Sequence, residues 1–85
     1  MLKYIMVNTF LSSHNVIIFS GCISHDEMVR SVPAVSEVLS AGFIDFDVDK
    51  NGEVSPRCHG KSTSLNIGSR PEDSVIVKAQ MSRYC

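Results

Sequence analysis

Apolar and polar positions change period several times along this chain, and each change marks an element. Residues 2–10 are largely apolar, β-branched or aromatic and read as a strand. The polar group Ser12-Ser13-His14-Asn15 follows as a turn, and Val16-Ile17-Ile18-Phe19 is a short continuous apolar run suited to a central strand. An antiparallel hairpin is predicted. Ser24-His25-Asp26-Glu27 is then a capping box: the Ser24 hydroxyl accepts from the backbone N–H three residues on, and Glu27 reaches back. It opens a helix from His25, with Met28, Val29 and Val32 as its apolar face and Pro33 as its end.

From Ser36 the period is weak, and Ala41-Gly42 reads as a break. Alternation resumes after it: Ile44, Phe46 and Val48 point one way, while Asp45, Asp47 and Asp49 point the other. Residues 53–59 return beside this strand, and Thr63, Leu65 and Ile67 alternate as a third, completing a meander. Ser69-Arg70-Pro71-Glu72 is a second capping box, with Pro71 where a missing N–H costs nothing and Asp73 near the positive helix end. The β-branched run Val75-Ile76-Val77 pulls toward strand, but the start signal favours a helix over 70–82. The order is ββα-βββ-α. It predicts a single α+β domain over residues 1–85, with a mainly antiparallel sheet of four to five strands covered on one face by two helices, a two-layer arrangement.

Composition narrows the function classes. At 85 residues the chain supports one modest core without disulfides or metal. Net charge is -1, Trp is absent and aromatic residues make up 7%, so neither a phosphate-binding field nor a base-stacking platform is expected, and no nucleic-acid partner is favoured. No segment has the length of a membrane span. Polar residues interrupt the N-terminal run, against an export signal despite Phe19-Ser20-Gly21-Cys22. The cysteines Cys22, Cys58 and Cys85 are odd in number and unpaired in spacing, which fits reduced thiols in a cytoplasm. Charge is divided along the chain. Seven acidic residues fall between Asp26 and Glu53, whereas Arg57, Lys61, Arg70, Lys78 and Arg83 follow. The row Asp45, Asp47, Asp49 and the set Arg57, Lys61, Arg70 are therefore the expected contacts for a protein partner.

Several stretches imitate known chemistry. Asp47, Asp49, Asn51 and Gly52 match the first half of a calcium loop, and Ser55 suits its ninth position. The twelfth position is Cys58, whose sulfur replaces the bidentate carboxylate that calcium requires. Asn51-Gly52 between alternating segments instead predicts a hairpin bend, and a metal-binding module at Asp47, Asp49, Asn51 and Ser55 is the alternative reading. Cys22, His25, Cys58 and His59 are zinc-type ligands without a zinc spacing, and His25 is expected on an exposed first helical turn. Gly60-Lys61-Ser62-Thr63 matches the end of a phosphate loop, but Ser55 stands where its first glycine belongs. No set of base, orienting partner and oxyanion donor emerges, so the expectation is a non-enzymatic protein requiring no cofactor.

Ser40-Ala41-Gly42-Phe43, together with the run from Gly60 to Ser74 (GKSTSLNIGSRPEDS), resembles small uncharacterised proteins of tailed bacteriophages and prophages. The resemblance covers less than half of the chain. It implies a closing helix from Ser69 and a small accessory protein that binds a host protein in the host cytoplasm, including inhibitors of host defence. Self-association through an exposed strand, 2–10, is a further expectation.

Overall fold

The computed structural model describes residues 1–82; Arg83 and Cys85 lie outside the described residues. Eight elements follow in order: β1 (Leu2–Thr9), β2 (Asn15–Ser20), α1 (His25–Ser31), β3 (Val35–Val48), β4 (Val54–His59), β5 (Lys61–Ser62), β6 (Ile67–Gly68) and α2 (Pro71–Ser82). The α+β class and the ββα-βββ-α order are those expected. The main sheet is antiparallel with strand order β2-β1-β3-β4, and β5-β6 form a separate two-stranded sheet.

Alternation along β1 builds two cores, one on each face. Tyr4 and Met6 pack with Ile44, Val77, Ile76 and Leu39 beneath α2. Ile5 and Val7 pack with Phe19, Ala41, Met28, Val29 and Val32, where α1 lies, and with Leu65 and Ile67 of the small sheet. Each of these fully buried β1 side chains contributes roughly 1.5–3 kcal/mol of transfer free energy. The helices therefore cover opposite faces. The expectation of both on one face fails because β1 is apolar at consecutive positions, and a strand with two apolar faces must be covered twice.

Three further departures have local causes. The Ala41-Gly42 break lies in the middle of the 14-residue β3. Small residues are needed there because backbone passes close by: a Cβ on Gly42 would sit 2.5 Å from the His59 carbonyl oxygen. The third meander strand does not join the main sheet. Gly60, at φ 74°, turns the chain beneath β3, and Lys61–Ser62 pairs with Ile67–Gly68 instead. Finally, β1 is internal, between β2 and β3, so the sheet edges are β2 and β4 rather than residues 2–10.

The last segment is helical, but its cap is one residue later than predicted. Arg70 precedes Pro71, and its backbone N–H donates to Asp73 Oδ2 at 3.0 Å, so the returning carboxylate is Asp73 rather than Glu72.

Candidate functional site

The strand β3 pairs with β1 only as far as Ile44; from Asp45 to Val48 its only partner is β4. This leaves a two-stranded ribbon, and every residue from 46 to 54 is exposed. Register assigns its two faces. Phe43, Asp45 and Asp47 lie opposite His59, Arg57 and Ser55, while Ile44, Phe46 and Val48 lie opposite Cys58, Pro56 and Val54.

The first face is a chain of polar contacts. His59 Nε2 lies 2.8 Å from Asp45 Oδ2. Arg57 reaches Asp45 at 3.5 Å and Asp47 at 3.3 Å. Phe43 stacks on His59, with ring centroids 6.1 Å apart. Behind Phe43 the His25 ring stands edge-on, its Nε2 2.8 Å from the Gly42 carbonyl. His25 is thus buried, contrary to the expected exposed position, because the first turn of α1 faces the sheet.

The second face is apolar. Phe46 and Val54 are each 38% exposed and Val48 is 66% exposed, with no described segment over them. A groove of about 410 Å³ runs between the ribbon and α2, lined by Glu53, Val54, Lys78 and Met81. Lys78 Nζ donates to Glu53 at 2.8 Å and to Ser55 at 3.0 Å, bracing the ribbon against the helix. The Lys78 ammonium holds the Glu53 carboxyl below the usual carboxylate range.

The bend itself is closed by Asp49. Its Oδ1 accepts from Asn51 N–H at 2.8 Å and Glu53 N–H at 2.9 Å, and its carbonyl accepts from Gly52 N–H at 3.0 Å. Of the loop residues only Gly52 is left-handed, at φ 82°, so the bend is a longer loop with a glycine bulge rather than a two-residue turn at Asn51-Gly52. The carboxylate counted as a calcium ligand is therefore committed to the turn. Asp47 is committed to Arg57.

The structure brings together Asp45, Asp47 and Arg57 of the expected contact residues. Asp49 is in the bend, Lys61 is in β5, and Arg70 is at the start of α2. The zinc-type ligands diverge: Cys58 packs under α2, His59 and His25 belong to the other face, and Cys22 is exposed. Among the described residues no three His, Cys, Asp or Glu side chains are grouped to hold a metal ion. Gly60-Lys61-Ser62-Thr63 runs through β5, not into a helix N-terminus, so no phosphate cradle forms there.

One constellation has no counterpart in the sequence reading. Asp73, fully buried, accepts from the Tyr4 hydroxyl at 2.5 Å and from Arg70 Nε at 2.9 Å. Burial pushes the Asp73 carboxyl up, but the bonds from Tyr4 and Arg70 outweigh it and leave the carboxyl below its ordinary value. Burial, reinforced by the bond to Asp73, raises the Tyr4 hydroxyl. Burial also raises the Cys58 thiol nearby, which makes it a poor thiolate nucleophile. A pair 69 residues apart leaves no local signal; an Asp two residues after Pro71 is the one hint. No helix among the described residues is long and apolar enough to cross a membrane. No family model, curated protein or solved structure matches the chain.

Proposed function

We propose that this chain is a small non-enzymatic accessory protein that acts by stoichiometric binding to a protein partner through the β3–β4 ribbon. The observation that carries this reading is the exposed apolar face of Phe46, Val48 and Val54 on a ribbon that leaves the core. Large apolar side chains grouped on a protrusion are costly to leave in water and typify contact surfaces. The opposite face adds register. Arg57 lies between Asp45 and Asp47 and offsets part of their charge, so what a partner meets is an alternating ionic pattern and not an acidic row.

In the bacteriophage setting suggested by Ser40–Phe43 and by the run from Gly60 to Ser74, the partner is a host protein in the host cytoplasm. Blocking a host-defence component is the activity that stoichiometric capture would deliver. Affinity capture from a bacterial host lysate tests this, comparing the native chain with Phe46→Glu/Val48→Glu and with Asp47→Lys/Arg57→Glu. One host protein retained at one-to-one ratio, and lost from the apolar variant at unchanged melting temperature, is the expected result. Failure to retain any specific host protein overturns the reading, as does retention indifferent to both variants.

A further inference from the structure

The strand β2 is an open edge of the sheet: among the described residues its only neighbour is β1. Natural edges are guarded by charged side chains, proline, bulges or a covering element. Among the described residues, Asn15–Ser20 has none of these, and the contact from α2 falls just before the strand, where Gln80 Nε2 donates to the His14 carbonyl. Its sequence, Asn15-Val16-Ile17-Ile18-Phe19-Ser20, contains no proline and no charge, and its pairing with β1 is regular. The uncharged stretch is longer than the strand. From Phe10 to Ser24, fifteen residues, there is no Lys, Arg, Asp or Glu. Exposed large apolar side chains fall in the same stretch: Ile18 in the strand, and Phe10 and Leu11, 80% and 94% exposed, at the tip leading into it.

We infer that β2 is a homodimer interface, pairing antiparallel with β2 of a second copy of this chain. Electrostatics selects that occupant. An edge without charge offers nothing to a charged partner strand and does not repel its own copy, and the net charge of -1 adds almost no long-range repulsion. Closed two-fold pairing also consumes both open edges, which a single bound peptide does not.

Geometry restricts the register. In an antiparallel pair, opposed residues share a face, and a two-fold axis perpendicular to the sheet keeps like faces on like sides. Even-numbered β2 residues, on the α2 side, must then oppose even-numbered ones, which puts the axis at Ile17 or Ile18. Two four-stranded sheets become one of eight strands, with both α2 helices on the same side. Phe10 and Leu11 of each copy lie beyond Asn15, and so are placed toward the partner's turn at residues 20–22. That turn borders a cleft of about 680 Å³ lined by Met1, Leu2, Ser20, Cys22, Phe43 and Phe46. This interface is independent of the ribbon, so either can fail without the other.

Light-scattering mass across a micromolar-to-millimolar concentration series tests the inference, with amide exchange read by NMR on the same samples. The native chain is expected to move from 9.4 kDa toward twice that mass, with β2 amides gaining protection as it does and β4 amides unchanged. Ile18→Lys installs an edge charge and should hold the mass at one chain, while Phe46→Glu/Val48→Glu should leave the dimer intact. A one-chain mass at millimolar concentration overturns the inference, whatever else binds the edge. So does a mass rising past two chains, or a dimer formed without new β2 protection. If Ile18→Lys does not fold, the β2 exchange of the native chain alone decides.

Discussion

The two edges of the main sheet receive opposite treatment. At β4 the strand contains Pro56, which has no N–H to offer, and α2 lies alongside. Ser74 Oγ accepts from the Cys58 N–H at 2.9 Å, and Lys78 reaches Ser55. At β2 there is neither proline, charge nor helix. The same sheet thus has one edge closed from within and one left open among the described residues. Protection at β4 combines the strand's own Pro56 with contacts from α2, and β2 has neither. Besides the packing of Val77 and Ile76, what ties that helix to the sheet is the buried Asp73, bonded to Tyr4 of β1 and to Arg70.

The strongest way to break the contrast is therefore Asp73→Ala. It orphans the Tyr4 hydroxyl and the Arg70 backbone N–H, and should cost roughly 3 kcal/mol in urea unfolding. It should also raise amide exchange in β4 more than in β2. Acid is a milder form of the same deletion. Because the folded Asp73 carboxyl lies below its unfolded value, its contribution is present above the unfolded pKa and is lost as pH falls through the folded one. The urea midpoint should drop through that acidic window in the native chain and change less in Asp73→Asn. Tyr4 has the opposite sign. Its folded value is raised, so its contribution is complete below the unfolded tyrosine pKa of about 10 and erodes in stronger alkali. Tyr4→Phe should remove the alkaline part.

Gly42→Ala attacks the β3–β4 junction, where the new Cβ would meet the His59 carbonyl. A loss of about 1–3 kcal/mol, seen as a lower melting temperature, is expected from such overpacking. Ser74→Ala sharpens the comparison most finely. It removes one hydrogen bond at the closed edge, about 1 kcal/mol, and should expose the Cys58 amide to exchange while the helix stays docked.

Much of this architecture was legible in the chain. The alternation of Ile44, Phe46 and Val48 against Asp45 and Asp47, the capping box at Ser24 and the helix-start signal before Pro71 each specify an element through local physics. What escaped is non-local. Ala41-Gly42 has the composition of a breaker, and only the passage of the His59 carbonyl explains why small residues continue a strand there. His25 has the polarity of a surface residue, and only Phe19, Phe43 and the Gly42 carbonyl make it an interior one. Sheet order was beyond reach for the same reason: hydrophobic period identifies strands but not their neighbours, so β1 passed for an edge. The contact residues split along this line. Asp45, Asp47 and Arg57 meet because one hairpin register joins them, while Lys61 and Arg70 belong to elements placed by tertiary packing.

The bond between Tyr4 and Asp73 joins two residues 69 positions apart, one in the central strand and one in α2. Until α2 has docked, the face around Tyr4 and Met6 lacks its helix, and the β4 edge has Pro56 but no covering element. Closure of that face thus waits on the docking of α2, and strand pairing alone does not complete it. A chain truncated before Pro71 should expose this apolar face and be cleaved by an added protease faster than the native chain.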